Sequence, residues 1–248
     1  MAYKVIIDAD SLVYKLGFAL EEVTNLKTVE HTLQSEIDTI VETVRKVFVN
    51  IDAPDIIISA PGKSNFRFEI AKTKEYKGNR IAAKPKHYDF LRTLLLAMPN
   101  SQMVSGQEAD DTIADMTAIN PEKTVVATVD KDLLQNPGWY FIPSGKRPIF
   151  YVDKDTVGVL LLERASGNKP CLFGTGTIWL HAQMLLGDTA DNIPGIKGYG
   201  VMKVYNLLKG LTRGIDIEAA VMDAYIKAGV VDRYQEIYTL LKIGGHKL

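Results

Sequence analysis

Short β-branched segments separated by helical hydrophobic patterns place the strongest constraint on how this chain folds. Such segments predict buried strands. They are Tyr3 to Ile7, which ends at Asp8; Asp55 to Ser59; and Thr124 to Val129, which ends at Asp130. Between them, apolar residues recur with helical spacing from Leu33 to Phe48 and again after Pro85. Alternating strands and helices predict an α/β fold with a mostly parallel central sheet flanked by helices.

The rest of the chain has a different pattern. Residues 144–152, with Gly145 and Pro148, are typical of a hairpin turn, whereas Thr177 to Leu186 and Val201 to Leu241 are mostly helical. We therefore expect an α/β domain over residues 1–170 and a C-terminal helical region over residues 171–248.

Charge and cysteine content exclude several classes of protein. With 29 basic and 30 acidic residues, the chain has no net field that favours nucleic acid, so a nucleic-acid site requires local segregation of charge. The lone Cys171 cannot form an internal disulfide, and Met1 to Asp10 lacks the pattern of a signal peptide. No apolar run approaches the ~20 residues of a membrane helix. We expect a cytoplasmic protein without membrane association, and nothing in the composition requires more than a monomer.

Carboxylates are concentrated in four short segments, each at a predicted strand end or helix start. The segments are Asp8 and Asp10; Glu108, Asp110 and Asp111; Asp130 and Asp132; Asp188 and Asp191. Any one of them is typical of a helix cap. Four that converge would repel one another unless cations neutralised them, and Mg²⁺ prefers such oxygen ligands. Asp188 and Asp191, three residues apart, are expected to share a helix face. The four histidines and one cysteine lack zinc-site spacing, so the pattern favours two hard ions that clamp a phosphodiester.

Basic residues are concentrated between Lys72 and Lys86, with Glu75 as the single acid. A solvated helix face is the structural alternative for such a run. The functional interpretation is a DNA-binding strip, in which Tyr76 stacks on a base while Lys77 and Arg80 contact phosphate. Its predicted members are Lys63, Arg67, Lys72, Lys74, Tyr76, Lys77, Arg80 and Lys84.

A glycine-rich loop, Ile193 to Gly200, precedes an apolar periodic segment. It is either a structural turn between helices or a site where backbone approaches phosphate closely. The functional interpretation is a helix-hairpin-helix contact to the DNA backbone, made by Gly195, Lys197, Gly198, Gly200 and Lys203.

Five motifs in order resemble those of the 5′ nuclease family, which includes flap endonucleases, the 5′ nuclease domain of bacterial DNA polymerase I and phage exonucleases. They are IIDADSLVY at residues 6–14, EYKGNR at 75–80, GQEADD at 106–111, TVDKDLL at 128–134 and LLGDTADNIPGIKGYG at 185–200. The compact length and the segment WLHAQMLLGD are most similar to the phage T7-type branch. The resemblance extends from Tyr3 to about Leu208 and implies a PIN/FEN-like fold.

The resemblance also implies roles for individual residues. The first metal site corresponds to Asp8, Glu108, Asp110 and Asp111, and the second to Asp130, Asp132, Asp188 and Asp191. Lys77 and Arg80 match basic residues that grip the scissile phosphate at the base of a helical arch. Residues 193–203 match a helix-three-turn-helix motif that clamps duplex DNA and often holds K⁺. Gln183 stands where some members have lysine, and we assign it no catalytic role.

The implied activity is structure-dependent hydrolysis of DNA phosphodiesters by two or more Mg²⁺ or Mn²⁺ ions, which leaves 5′-phosphate and 3′-hydroxyl ends. The implied partners are DNA 5′ ends, nicks, flaps or junctions, with an RNA–DNA hybrid as a further candidate. For a phage member the implied role is replication or recombination in the host cytoplasm.

One departure from the family pattern concerns the end of the second strand, where an aspartate is expected. Ser59 and Ala60 stand there instead. Either this branch does without that carboxylate, or Ala60 impairs the enzyme.

Two alternative functions remain open from the sequence. The first is a non-catalytic DNA-binding member of the family. The second is a haloacid-dehalogenase-type phosphatase, in which Asp8 is a nucleophile and Asp10 a general acid.

Overall fold

The computed structural model describes residues 2–62, 65–80, 83–143, 145 and 147–245. A six-stranded sheet in the order β3-β2-β1-β4-β5-β6 forms its centre, and every pair in it is parallel except β5 with β6. Its strands are β1 (Lys4–Asp8), β2 (Asp55–Ser59), β3 (Ser101–Val104), β4 (Thr124–Ala127), β5 (Gly138–Phe141) and β6 (Phe150–Val152). The predicted mostly parallel α/β sheet is confirmed.

Helices cover both faces of this sheet because the central strands are apolar on both sides. Ile7 and Ile56 face a cluster with α1, α2 and α4, whereas Ile6 and Val126 face α5. This period of two in side-chain direction is expected for strands buried on both faces. The helices are α1 (Ala9–Ala19), α2 (Leu26–Arg45), α3 (Arg67–Ile70), α4 (Tyr88–Leu96) and α5 (Ala109–Ile119).

The C-terminal part is mostly helical, as predicted, and has its own apolar core. Buried side chains of its helices, such as Trp179 and Tyr225, belong to a cluster that also includes Tyr76. The helices are α6 (Gly176–Leu186), α7 (Val201–Leu208), α8 (Gly214–Lys227) and α9 (Tyr234–Leu241). No helix in the described part of the chain is long and apolar enough to cross a membrane.

Two antiparallel pairs lie outside the central sheet. The hairpin of β7 (Leu160–Arg164) and β8 (Pro170–Gly174) was not predicted from the sequence. The expected domain boundary at residue 170 falls inside this hairpin, at the start of β8. The division of the chain into two domains there stays a prediction. The second pair is β9 (Gly187–Asp188) with β10 (Ile193–Pro194). It shows that the expected helix through Asp188 and Asp191 is wrong, because a turn joins the two strands and Gly187 has a φ of 75°.

A buried ion pair ties the α/β layers to the C-terminal helices. The Arg67 guanidinium, which is 0% exposed, donates to Asp111 Oδ1 and Oδ2 at 2.8 and 2.6 Å. It also donates to the backbone carbonyls of Leu240 and Lys242, at 3.0 and 2.8 Å. Asp111 in turn accepts from the backbone N–H of Gly244 at 3.0 Å. The guanidinium and the carboxylate are therefore each paired with the opposite charge and hydrogen-bonded to backbone groups. A buried ion pair is tolerated under these conditions.

This arrangement predicts a large loss of stability in Arg67→Met. We expect the free energy of unfolding to fall by about 3–5 kcal/mol, because Asp111 is left buried without its counter-charge. Chemical denaturation in the presence of EDTA measures it, with the exposed Arg45→Met as control. Further replacement of Asp111 by Leu should restore part of the loss. A loss as small as that of Arg45→Met would contradict the assigned role.

Candidate metal and nucleic-acid site

Acidic side chains converge where the central parallel strands end. Asp8 is the last residue of β1, and Asp130 follows β4, the strand paired with β1. Glu108 and Asp110 lie at the start of α5, the helix that follows β3. Ligands of open α/β sheets bind outside the carboxyl ends of the strands, which is where these side chains meet.

The acidic side chains line two adjoining cavities. One, which we call the β1 cavity, has a volume of about 340 Å³ and is lined by Asp8, Asp10, Glu108, Asp110 and Asp130. The other, the β9 cavity, has a volume of about 350 Å³. Its acidic lining comprises Glu108, Asp110, Asp130, Asp132, Asp188 and Asp191. The two cavities share Glu108, Asp110 and Asp130, so they form one continuous acidic site.

Helix caps hold the acids of the β1 cavity in position. Asp8 caps α1 by accepting from the Ser11 N–H at 3.1 Å, and it accepts from the Thr128 hydroxyl at 2.6 Å. Glu108 is the N-cap residue of α5 and accepts from the Tyr76 hydroxyl at 2.9 Å. Asp8 therefore caps a helix, as expected of a single aspartate, and also lines the cavity wall.

Asp110 differs from its acidic neighbours. It lies in the first turn of α5 and faces both cavities. Among the residues that the structure describes, none donates a hydrogen bond to its carboxylate. Burial, followed by the charges of Asp130, Asp8 and Glu108, raises its pKa well above the usual value. A carboxylate that is close to three others and lacks a donor is the group in this site most in need of a cation.

In the β9 cavity, a lysine lies between two of the acids. Lys131 Nζ is 2.8 Å from Asp132 Oδ1 and 2.8 Å from Asp188 Oδ2. Burial alone raises the pKa of Asp188, but Lys131 and the backbone N–H groups of Ala190 and Asp191 outweigh it, so that the pKa is lowered. Asp132, by contrast, has its pKa raised to about 7 by burial and by the charge of Asp130.

Lys77 and Arg80 also contribute positive charge to this acidic site. Lys77 Nζ pairs with Glu108 and is 3.8 Å from Asp191 Oδ2, whereas Arg80 Nη2 is 2.6 Å from Asp191 Oδ1. Both basic side chains line both cavities. Arg80 is 48% exposed, so a phosphate can reach it from solvent.

Lys77, Arg80 and Lys131 form ion pairs with the carboxylates of the site. Among the described residues, no three His, Cys, Asp or Glu side chains stand close enough together to enclose one metal ion. Lys77 and Lys131 take up oxygen lone pairs that a cation would otherwise use. Among the described residues that line the two cavities, none is His or Cys, and the all-oxygen donor set therefore fits Mg²⁺ or Mn²⁺ rather than zinc.

Three of the residues predicted for the site have other roles. Asp111 lines neither cavity, and successive helical residues point about 100° apart, so Asp110 faces the cavities while Asp111 faces Arg67. Arg67 is buried in that pair, and its predicted place in a DNA-binding strip is wrong. Tyr76 is 2% exposed, and its hydroxyl donates to Glu108 and Asp191. The prediction that Tyr76 stacks on a base is therefore wrong.

The other basic residues of the strip have separate surroundings. Lys72 and Lys74 are exposed, and Lys84 lies with Nζ 4.1 Å from the Tyr88 ring at the edge of the β1 cavity. Lys63 lies outside the described residues. The described basic residues therefore do not form a single continuous DNA-binding strip.

The glycine loop has a packed half and an open half. A side chain at Gly195 would meet the backbone of Leu186 at 2.3 Å, so packing against the end of α6 requires a glycine at this position. Gly198, with a φ of 84°, and Gly200, the N-cap residue of α7, have open space around them. Lys197 and Lys203 are exposed beside them.

Several side chains in the site could not be found from the sequence. Thr128 donates to Asp8, Asn65 donates to Glu108 at 3.1 Å, and Gln183 donates to Asp132 at 2.5 Å. Arg92 holds Asp10, with Nη1 3.1 Å from Oδ1. These partners are far apart in the chain, and a single polar residue inside an apolar helical pattern gives no local signal of its partner.

Comparison with known proteins identifies the family. The family model of the 5′–3′ exonuclease N-terminal resolvase-like domain matches residues 4–137. The thermostable DNA polymerase I of Thermus caldophilus is 29% identical over 222 residues, which cover 83% of this chain and 24% of that protein. A 5′–3′ exonuclease of Bacillus subtilis is 34% identical over 164 residues, which cover 60% of this chain and 49% of that protein. The chain thus spans about a quarter of the DNA polymerase I relatives that it matches.

Solved structures support the same fold. The bacteriophage T5 flap endonuclease, solved as a pseudo-enzyme-product complex with DNA and metal ions, aligns with a TM-score of 0.61 at 17% identity. The alignment covers 96% of this chain and 86% of that one. The T5 5′-exonuclease with bound zinc has a TM-score of 0.58, also at 17% identity, and 96% of each chain is covered. With the family model matched over more than half of its length, this chain belongs to the 5′–3′ exonuclease family.

Proposed function

We propose that this protein is a divalent-metal 5′ nuclease that hydrolyses DNA phosphodiesters at 5′ ends, nicks, flaps or junctions. The observation that carries the proposal is the continuous acidic site shared by the β1 and β9 cavities. Lys77 and Arg80 line both cavities. A binding protein gains nothing from carboxylates beneath a phosphate, because like charges weaken its affinity for DNA. A nuclease needs them to hold cations.

The two cavities divide the proposed metal ligands between them. Asp8, Glu108 and Asp110 would hold an ion in the β1 cavity, and Asp132, Asp188 and Asp191 would hold one in the β9 cavity, with Asp130 between them. Bound Mg²⁺ or Mn²⁺ lowers the pKa of a water molecule and neutralises charge on the transferring phosphate. The raised pKa values of Asp110 and Asp130 support this assignment, because both follow from burial among other acids.

Lys77 and Arg80 are proposed to contact the scissile phosphate. In the structure they pair with Glu108 and Asp191, the acids that the proposal assigns to cations. With cations bound to those acids, the ammonium and guanidinium groups would be available to bind phosphate oxygens. An arginine is suited to this contact because its planar group can donate two parallel hydrogen bonds.

The open half of the glycine loop is proposed as the contact to duplex DNA. Gly198 and Gly200 leave the backbone accessible ahead of α7, and Lys197 and Lys203 are exposed beside it. Exposed lysines of this kind bind phosphates by charge and confer no sequence specificity. A K⁺ ion at this loop belongs to the same proposal.

The similarity to proteins that act on DNA supports DNA as the substrate. The T5 flap endonuclease was solved with DNA and metal ions, and several relatives are DNA polymerase I chains.

We propose a monomeric, cytoplasmic enzyme of phage replication or recombination, built as an α/β catalytic domain over residues 1–170 and a helical DNA-binding region over residues 171–248. An RNA–DNA hybrid is a further candidate substrate. The phosphatase alternative is disfavoured because it leaves Lys77, Arg80 and the acids of the β9 cavity without a role.

Asp130→Asn tests the metal-dependent reaction, because Asp130 borders both cavities. We expect cleavage of a 5′-labelled flap in Mg²⁺ to fall at least about 100-fold, beyond what the loss of a supporting group usually causes. DNA binding measured in Ca²⁺ should be unchanged or stronger, because a negative charge near phosphate is removed. The exposed Asp52→Asn is the control. Retained cleavage by Asp130→Asn would remove this residue from the reaction.

Lys131→Met tests whether Lys131 takes the place of a cation between Asp132 and Asp188. In EDTA we expect the free energy of unfolding to fall by about 1 kcal/mol, which is the scale of partly exposed ion pairs. In Mg²⁺ the loss should be smaller, because a bound ion neutralises the same two acids. Chemical denaturation of both forms measures the difference, with the exposed Lys46→Met as control. Equal losses in EDTA and Mg²⁺ would contradict the interpretation.

Lys197→Ala combined with Lys203→Ala tests the duplex contact. Loss of two phosphate contacts should lower affinity for duplex DNA and reduce the slope of log affinity against log salt by roughly 2. Fluorescence anisotropy in Ca²⁺ across a salt series measures both quantities. Lys46→Ala, on the end of α2, serves as control. An unchanged salt slope would show that this loop does not contact phosphate.

A further inference from the structure

The end of β2 has no acidic residue, although its neighbour β1 ends in Asp8. Ser59 closes the strand, and its hydroxyl accepts a hydrogen bond from the backbone N–H of Ala109 at 2.9 Å, which caps α5. Ala60 follows and lines the β1 cavity, but its methyl group cannot bind a cation. This part of the cavity wall would therefore lack a charged oxygen ligand if no other residue supplied one.

Asp10 reaches this position from the first turn of α1. Its Oδ2 accepts from the Ser59 N–H at 2.9 Å, which places the carboxylate over the end of β2. The side chain lines the β1 cavity together with Asp8, Glu108 and Asp110.

We propose that Asp10 is a metal ligand of the β1 cavity and supplies the carboxylate that is absent from the end of β2. The proposal rests on the proposed nuclease function and adds one ligand to it. It also implies that Ala60 does not impair this enzyme.

The contacts of Asp10 are those of a positioned ligand. Oδ1 accepts from Arg92 Nη1 at 3.1 Å, and Arg92 Nη2 donates to the Ser59 carbonyl at 2.6 Å. Arg92 itself is buried, with its guanidinium 5.5 Å from the Tyr88 ring. An ionised carboxylate has about four lone-pair sites. The described residues give each oxygen one hydrogen bond, which fixes the orientation of the group and leaves a lone pair on each for a cation, as outer partners of metal-binding carboxylates do.

A purely structural role is the alternative, in which Asp10 only links Arg92 to the end of β2. The two roles differ in what Asp10→Asn changes. A structural link affects the stability of the metal-free protein, whereas a ligand affects the affinity for the ion. Two readouts separate them: calorimetric titration with Mn²⁺, and the free energy of unfolding in EDTA.

We expect Asp10→Asn to weaken Mn²⁺ binding at one site at least about 10-fold, with a smaller effect on stability in EDTA. Ala60→Asp in the Asp10→Asn background should recover the affinity, because it returns a carboxylate to the same wall. Asp52→Asn is the matched control. Wild-type affinity in Asp10→Asn, with or without a loss of stability in EDTA, would overturn the inference.

Ala60→Asp alone provides a second test that does not depend on the folding of Asp10→Asn. If Asp10 already supplies the missing carboxylate, Ala60→Asp should leave Mn²⁺ affinity and flap cleavage within about 3-fold of wild type, well short of the 10- to 100-fold effects typical of metal-site residues. A gain of 10-fold or more in both would show that wild type lacks a ligand and would overturn the role of Asp10. Wild type that binds no Mn²⁺ at all would instead refute the proposed function itself.

Discussion

Mutual repulsion among carboxylates at one edge of the central sheet is the constraint on which the rest of this structure depends. Burial and neighbouring acids raise the pKa of Asp110 and Asp132, so the ionised site opposes folding. The protein offsets this with its own cations, of which Lys131 lies between two acids and Lys77 pairs with a third. A site neutralised in this way can fold without bound metal, and the proposed metal ions would take over the role that Lys131 and Lys77 have in its absence.

The stability that tolerates such a site comes from elsewhere in the molecule. Apolar clusters fill both faces of the sheet and the C-terminal helical core. The Arg67–Asp111 pair links these layers, and its carboxylate is satisfied by a guanidinium and a backbone N–H. Two adjacent aspartates of one helix thus have opposite roles. Asp111 is paired and structural, whereas Asp110 faces the cavities and receives no hydrogen bond from the described residues.

Two strands of the central sheet, β3 and β5, were not predicted. Local patterns were sufficient to predict β1, β2 and β4, most helices and the acids at the strand ends, because periodicity and strand-end position are encoded in neighbouring residues. Burial of charged or polar groups is not. Arg67 and Tyr76 belong to a segment rich in lysine and looked exposed, yet each is buried by helices more than a hundred residues further along the chain. Likewise, the sequence distinguished neither Asp110 from Asp111 nor the packed Gly195 from the open Gly198, since only tertiary contacts do so.

The proposed role of Asp10 would let the site keep its charge although the end of β2 carries no acid. A metal ion is bound by any oxygen ligand at a suitable distance, whichever strand or helix carries that ligand. The first turn of α1 passes beside the end of β2, as the bond from Ser59 to Asp10 shows. An aspartate two residues after the strand-end Asp8 can therefore cover the end of β2 without any change in the backbone. Ser59 is then free to cap α5, which stabilises the helix that presents Glu108 and Asp110. If Asp10 binds the ion as proposed, the acid that is absent from β2 is supplied from α1, and its absence from the strand does not by itself indicate lost activity.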